Sequence, residues 1–350
     1  MQIDFSKAIY DQQGQPLDYP GRMISRPLLI AGGAYQELQH SNDFSQFWLE
    51  DGRNLDGVLH QRHQAGIHER IVQVAFGANR NLENIAWKFR NYHEADHSIS
   101  QDFIALPGVI RNVDVVACNV GYWGYIYSGL LATTEALNLR HYLFGTVCPV
   151  VVLLLDQSQL NAVHRSEGVP RTDRGPDGVS CDISDIEVEL SASIVCEAQV
   201  YSLSVPFLSF DGVLPVAFDQ VETKGRANYP VLSQKAMFTK INDCLRLEEP
   251  LPGRVPIAES LHRLALNLLS DGTHALRQLT HDPFYARVRH EIAEQLVLRD
   301  SDGRVRKGLE DIYPPREVKD AWTPKPLFEP RDKRVIVTAK SNRMDRFRDG

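Results

Sequence analysis

The sequence predicts an α+β protein whose strands and helices occupy separate parts of the chain. Between residues 71 and 245, short aliphatic and β-branched runs lie between clusters of glycine, proline, asparagine and aspartate, which is typical of strands. From residue 254 onward, apolar residues recur at helical spacing instead. One such stripe is Ile257, Leu261, Leu264 and Leu268.

The strand-rich region begins with an apolar strand at residues 71–76, and Gly77 then opens a turn. After the turn, four apolar residues recur with the spacing of one helix face, which predicts an amphipathic helix. These residues are Leu82, Ile85, Ala86 and Phe89. Further strands are predicted at residues 113–117, 129–134, 150–155, 186–190 and 198–203, and helices at residues 157–165 and 233–244.

Changes in composition divide the chain into four regions. Residues 1–70 are expected to form an N-terminal extension packed on the core, and residues 71–250 are expected to form the core domain. A helical region is predicted for residues 251–315. Residues 316–350 combine prolines with mixed charges, which predicts an extended tail.

The composition argues against two classes of partner. The chain has 350 residues, of which 43% are hydrophobic and 24% charged, as in an ordinary globular protein. The net charge of −7 argues against a general nucleic-acid surface and against attraction to a membrane. The longest apolar run, residues 147–155, contains Pro149 and is much shorter than the roughly 20 residues of a membrane-spanning helix.

The cysteines and the N-terminus predict a cytoplasmic protein. The five cysteines are scattered, odd in number and form no CxxC pair, which suits a reducing compartment. Residues 1–5 lack the basic start and the apolar stretch of a signal peptide.

The turn after the first core strand is a candidate binding loop. Gly77 has no Cβ, so the chain can turn sharply there and a ligand can approach the backbone. Asn79 or Asn81 is expected to cap the following helix, whose first N–H groups have no partner within the helix. Such N–H groups attract anions and polarised carbonyl oxygens.

Glu167 has an unusual position just after the helix predicted at residues 157–165. A carboxylate there faces the negative end of the helix dipole, which costs stability. One interpretation is an ordinary surface glutamate. The alternative is a carboxylate whose surroundings raise its pKa, so that it can carry protons near neutral pH.

Taken together and in this order, five segments resemble the γ-glutamyl cyclotransferase-like family. The family's Tyr-Gly-Ser-Asn-type loop is matched by Phe76-Gly77-Ala78-Asn79, and its Gly-x-Ala-Thr strand by residues 129–133. A strand, a leucine-containing helix and a Glu-Gly pair follow, at residues 151–155, 159–161 and 167–168. The resemblance covers roughly residues 70–245. It implies a mixed β-barrel core with flanking helices, to which a helical C-terminal extension is added.

The resemblance also implies an activity. The family's reaction releases 5-oxoproline and a free amine from a γ-glutamyl amide, by attack of the substrate's own α-amine on its γ-carbonyl. Glu167 would be the general acid and base, and residues 76–79 would bind the substrate. Independently of the resemblance, Tyr229 precedes the helix predicted at residues 233–244 and, together with Arg226 and Asn228, is expected to close the rim of the pocket. The partner would be a small-molecule γ-glutamyl substrate, and the reaction needs no metal or organic cofactor.

Three positions depart from the family's pattern. Phe76 replaces a tyrosine and Ala78 replaces a serine, so the loop keeps its backbone donors but lacks two hydroxyls. The tyrosine that often follows the Glu-Gly pair has Ile183 as its nearest position by spacing. The missing hydroxyls favour an alternative, a non-catalytic binding module with the same fold.

A second alternative comes from residues 93–97, which read His-Glu-Ala-Asp-His and match H-E-x-x-H. On a helix, this motif places two imidazoles on one face for Zn²⁺, with the glutamate as base. A zinc hydrolase using His93, Glu94 and His97 is therefore an alternative function. Polar flanks and the lack of an obvious third ligand favour a solvated helix end instead.

Overall fold

A computed structural model describes most of the predicted core. The described residues are 1–5, 19–121, 125–132, 145–167, 169, 181–203, 205–226, 228–245, 283–308 and 329–330. The helical stripe predicted at residues 257–268, the Gly168 position of the Glu-Gly pair and the predicted tail apart from residues 329–330 lie outside the described residues.

Thirteen strands and five α-helices are formed by the described residues. The strands are β1 (Leu28–Ala31), β2 (Ala34–His40), β3 (Phe47–Leu49), β4 (Ile71–Ala75), β5 (Phe103–Arg111), β6 (Val113–Val120), β7 (Ile126–Ala132), β8 (Val147–Leu155), β9 (Cys181–Glu189), β10 (Ile194–Leu203), β11 (Ala217–Phe218), β12 (Val231–Leu232) and β13 (Glu329–Pro330). The helices are α1 (Leu55–Gln61), α2 (Leu82–Ala95), α3 (Gln157–Ser166), α4 (Gln234–Leu245) and α5 (Pro283–Gln295). None of these helices is both long and apolar enough to cross a bilayer.

The larger of two sheets is mixed, which confirms the α+β class. Its order is β13-β10-β4-β8-β5-β1-β2-β3, with β4 parallel to β10 and the other neighbours antiparallel. β9 pairs with β10 along its length and also bridges β5, through Glu189 and Val109. The smaller sheet has the order β12-β11-β6-β7.

The strands predicted from apolar runs correspond to β4 and β6 to β10, but β5 was missed. Pro107 and Gly108 interrupt the apolar run of β5 and hide its strand character. A Cβ on Gly108 would lie 2.9 Å from the Val188 side chain, so neighbouring strands approach too closely for a larger residue. The glycine that obscures the strand in the sequence is therefore required by its packing.

Caps fix where the two helices nearest to β4 and β8 begin. The Asn81 side chain accepts a hydrogen bond from the Asn84 N–H at 2.9 Å and caps α2. Asp156 accepts from the Gln159 N–H at 2.8 Å, while the Gln159 side chain accepts from the Asp156 N–H at 3.0 Å. This reciprocal capping box starts α3 directly after β8.

A buried carboxylate holds the smaller sheet to the loop before β12. Asp114 on β6 accepts two hydrogen bonds from Arg226, at 2.6 and 2.8 Å, and one from the Thr223 hydroxyl at 2.5 Å. The Tyr229 hydroxyl also donates to Asp114. The Asp114 side chain is fully buried and the Arg226 side chain is 9% exposed. Each charge therefore compensates for the loss of water around the other.

Replacing Asp114 with alanine is expected to lower the free energy of unfolding by about 3–5 kcal/mol, because Arg226 would keep an unpaired charge out of water. Chemical denaturation at pH 7 measures the change. The control is Glu37→Ala, which breaks an exposed pair with Arg26 and should leave the stability near the wild-type value. Equal stabilities for the two variants would contradict the role of Asp114.

Candidate functional site

The candidate loop and the candidate glutamate meet in the structure. The Asn79 side-chain amide donates a hydrogen bond to Glu167 Oε1 at 3.0 Å, across 88 positions of sequence. Asn79 lies in a short 3₁₀ turn, Ala78–Arg80, directly after β4. Glu167 is the residue that ends α3. The turn and the helix end have separate sequence features, and the fold brings them into contact.

Strand direction explains this contact. β4 and β8 are antiparallel: Ala75 at the end of β4 pairs with Val151 in the middle of β8, and Ile71 at the start of β4 pairs with Leu155 at the end of β8. α3 therefore begins at the far end of β4 and runs back towards the loop. Its ten residues span about 15 Å, close to the length of the five residues of β4 at about 3.3 Å each. Glu167 therefore lies beside the turn that follows Ala75.

The loop and the glutamate line one cavity of about 230 Å³. All four loop residues proposed to bind substrate contribute to its wall, as does the proposed acid and base. These residues are Phe76, Gly77, Ala78, Asn79 and Glu167.

Tyr229 is not part of this wall, contrary to the sequence-based prediction. Its hydroxyl donates to Asp114, and burial raises the pKa of the Tyr229 hydroxyl well above its usual value. Arg226 is committed to the same carboxylate. Tyr229 and Arg226 therefore stabilise the smaller sheet rather than the rim of the cavity.

Lys88 on α2 is a cavity residue that sequence reasoning missed. Its Nζ lies 2.8 Å from Glu167 Oε1, and the Lys88 and Glu167 side chains are only 12% and 25% exposed. Lys88 also lines the cavity. The available sequence signal was its position beside the buried face of α2, next to Phe89. Nothing local could identify its partner, which lies 79 positions later.

The surroundings of Glu167 keep it ionised. Burial raises the pKa of its carboxyl, but the Lys88 ammonium and hydrogen bonds from Lys88 and Asn79 outweigh burial, and the net pKa lies below its usual value. The expectation of a raised pKa is therefore wrong. Both hydrogen bonds from described residues fall on Oε1, so Oε2 can accept a proton. The carboxylate is suited to act first as a base.

A histidine and a tyrosine stand beside Glu167. His164 Nδ1 lies 2.7 Å from the Tyr201 hydroxyl, which lines the cavity. Burial lowers the pKa of His164 to about 4 despite the nearby Glu167 charge, so the imidazole is neutral at pH 7. Tyr201 pairs directly with Ile183 across β9 and β10. Tyr201 on β10 therefore lies next to Ile183, the position at which the family's tyrosine is missing.

Two hydroxyls flank Gly77. The Tyr19 hydroxyl accepts a hydrogen bond from the Ser128 N–H at 2.8 Å and lies 2.6 Å from Ser128 Oγ. A Cβ on Gly77 would lie 2.8 Å from the Tyr19 hydroxyl oxygen and 3.1 Å from Ser128 Oγ. Tyr19 and Ser128 line the cavity, and neither was predicted as a site residue. A glycine at position 77 leaves room for both.

The zinc alternative lacks the geometry that its motif requires. α2 ends at Ala95, so His97 lies beyond the helix instead of one turn along it. His93 Nδ1 lies 2.8 Å from the Ile99 carbonyl oxygen. Across the part of the chain that the structure describes, no three histidine, cysteine, aspartate or glutamate side chains are grouped to hold a metal. The segment is a helix end, as its polar flanks indicated.

Replacing Lys88 with methionine is expected to raise the pKa of Glu167, because burial remains while the ammonium is lost. In the wild type, the lowered pKa stabilises the fold above the ordinary glutamate pKa, and this contribution is lost as pH falls through the folded-state value. Carbon-13 NMR titration of the glutamate carboxyls, assigned with Glu167→Gln, measures the shift.

The matched control is Arg90→Met, which removes another cation from α2. Arg90 lies 3.7 Å from Glu94 and does not line the cavity. The pKa of Glu167 should stay at its wild-type value in this variant. An unchanged Glu167 pKa in Lys88→Met would show that Lys88 does not set the ionisation of the site.

No protein-family model and no curated protein sequence matches the chain. Among solved structures, the chain is similar to an uncharacterized protein from Homo sapiens, with 12% identity, 39% of this chain and 71% of that chain covered, and a TM-score of 0.25. It is also similar to a γ-glutamyl cyclotransferase, with 14% identity, 55% of this chain and 86% of that chain covered, and a TM-score of 0.25. Similarity at this level does not establish a shared fold or activity, so function has to follow from the cavity.

Proposed function

We propose that the chain is a γ-glutamyl cyclotransferase-like enzyme that releases 5-oxoproline and a free amine from a γ-glutamyl amide. The contact between Glu167 and Asn79 carries this proposal, because it joins an ionised carboxylate to a loop of backbone donors within one cavity. The pairing of β9 with both β10 and β5 supports a mixed, barrel-like core. Free thiols at all five cysteines are compatible with a cytoplasmic location.

The proposed reaction is an intramolecular aminolysis in which Glu167 moves the protons. Glu167 accepts a proton from the substrate's α-ammonium. The neutral amine then attacks the γ-carbonyl carbon, and the π electron pair of the C=O bond moves to the oxygen. Glu167 returns the proton to the leaving nitrogen as the old C–N bond breaks and the carbonyl re-forms. The extra proton on the ring nitrogen passes through Glu167 to the released amine, and the carboxylate ends ionised.

The charges of the cavity match those of the substrate's α-carbon. A γ-glutamyl group carries an ammonium and a carboxylate on one carbon atom. Glu167 and Lys88 present the opposite two charges, with Nζ and Oε1 2.8 Å apart. Complementary charges fix the orientation of a bound substrate. In this orientation the ammonium is next to Glu167, where the first proton transfer takes place.

The loop after β4 carries uncharged backbone donors, and its residues Ala78 and Asn79 line the same cavity. The first N–H groups of the turn Ala78–Arg80 have no carbonyl partner within the turn. Aimed at the γ-carbonyl oxygen, each such donor is worth about 10²–10³ in rate when negative charge develops there. The loop can therefore bind substrate and stabilise the tetrahedral intermediate without a metal or an organic cofactor.

A second candidate function is binding without turnover. Phe76 and Ala78 line the cavity without contributing hydroxyls, which favours a module that holds a γ-glutamyl ligand but does not cleave it. The ionised state of Glu167 favours the enzyme, because a base is required before the amine can attack. The two functions differ in whether 5-oxoproline appears.

The experiment is a screen of γ-glutamyl amines and γ-glutamyl peptides for 5-oxoproline release. Wild type is expected to turn over at least one substrate, and Glu167→Gln should lower kcat by about 10²–10⁴ because the proton carrier is lost. The matched control is Glu94→Gln, which changes an exposed glutamate of α2 that pairs with Arg90. This control should keep wild-type activity.

Each outcome separates the candidate functions. Full activity in Glu167→Gln would rule out the proposed role of this carboxylate. Binding of γ-glutamyl amides by wild type without 5-oxoproline release would favour the binding module. If Glu94→Gln were inactive even with added Zn²⁺ while wild type remained active, the result would favour the zinc alternative at residues 93–97.

A further inference from the structure

We propose that the hydroxyl pair formed by Tyr19 and Ser128 donates a hydrogen bond to the γ-carbonyl oxygen of the substrate. This inference rests on the proposed function and adds two binding residues from outside the loop. Tyr19 comes from the segment before β1, and Ser128 comes from β7. Both line the cavity that contains Glu167.

The position of the pair next to the binding loop is the first reason. A Cβ at Gly77 would approach the Tyr19 oxygen to 2.8 Å and Ser128 Oγ to 3.1 Å. The two hydroxyl oxygens therefore lie beside the backbone that is proposed to bind substrate. The loop itself has Phe76 and Ala78, so it brings no hydroxyl to this part of the cavity. The pair supplies what those two side chains lack.

The hydrogen bonding of the pair suits it to donate. The Ser128 N–H already donates to the Tyr19 oxygen at 2.8 Å, and the two hydroxyls lie 2.6 Å apart. The pair holds two hydroxyl protons, and its mutual hydrogen bond uses one of them. When the Tyr19 hydroxyl donates to Ser128 Oγ, the Ser128 hydroxyl proton points elsewhere and can be donated to an oxygen that enters the cavity. A donor that already accepts hydrogen bonds is polarised and strengthened.

The pair is also held rigidly. The Tyr19 ring stacks on Tyr125 with 4.3 Å between ring centroids, and it meets the edge of Phe218 at 5.6 Å. Arg80, at the end of the loop's turn, donates two hydrogen bonds to the Gly21 carbonyl oxygen, at 2.8 and 3.2 Å. The loop and the Tyr19 segment are thus joined, and a fixed donor needs little reorganisation when charge develops on the substrate.

The charges of the cavity indicate which substrate atom accepts the hydrogen bond from the hydroxyl pair. Lys88 and Glu167 match the carboxylate and the ammonium, which are both bonded to the substrate's α-carbon. The γ-carbonyl oxygen is uncharged in the ground state and lies further along the substrate chain. A neutral hydroxyl pair is a better match for this oxygen than for a second ionic group. The negative charge that forms during attack then strengthens the hydrogen bond.

The test compares a γ-glutamyl amide from the screen with the γ-thioamide of the same amine, measured as released amine. Sulfur is a weak acceptor, so removing a donor should affect the amide far more than the thioamide. Tyr19→Phe and Ser128→Ala should each lower kcat/KM for the amide about tenfold, and the double variant should lose little more, because the pair gives one hydrogen bond. The thioamide should change little.

The amide-to-thioamide ratio separates binding from folding, because a folding defect affects both substrates equally. The control is Tyr35→Phe, which removes a hydroxyl on β2 that donates to Met1 Sδ and does not line the cavity. Its ratio should equal that of wild type. An unchanged ratio in the active Tyr19 and Ser128 variants would overturn this inference alone. No amine release by wild type from any γ-glutamyl amide would overturn it together with the proposed function.

Discussion

The antiparallel pairing of β4 with β8 is the constraint on which the candidate site depends. β4 is followed by a turn and β8 by a capped helix, and opposite strand directions send these to opposite ends of the sheet. α3 then has the length needed to return to the end of β4, so Glu167 meets Asn79. Had the two strands been parallel, α3 would start beside the loop and Glu167 would lie about 15 Å from it. The site is a consequence of strand direction as much as of residue identity.

Two features of the fold disfavour a negative charge on Glu167. Glu167 ends α3, so its charge faces the negative end of the helix dipole, and the cavity wall removes most of its water. Lys88 and Asn79 offset both, and their effect is large enough to lower the pKa. Truncating either partner would leave a partly buried charge with weaker compensation. The proposed orientation of a zwitterionic substrate depends on the same pair of charges that keeps Glu167 ionised.

Sequence patterns identified the parts of the fold and site that depend on near neighbours along the chain. Alternation and turn residues located most core strands, and the glycine turn and helix end identified Gly77 and Glu167, because these signals report local backbone preferences. Lys88 was missed because an ion pair across 79 positions has no local signature. The prediction for Tyr229 failed for the converse reason, since its closeness in sequence to a helix start gave no sign that Asp114 binds its hydroxyl.

Gly77 shows how the three-dimensional context changes the meaning of a sequence signal. Its φ of −92° is not a left-handed value, so the turn does not need glycine for that reason. The space around it provides the stronger requirement, because a Cβ would meet the Tyr19 hydroxyl at 2.8 Å and Ser128 Oγ at 3.1 Å. Any larger residue would displace this hydroxyl pair before it blocked a ligand. The glycine, the serine and the tyrosine from outside the loop therefore form one structural unit, and the loop's chemistry cannot be judged from residues 76–79 alone.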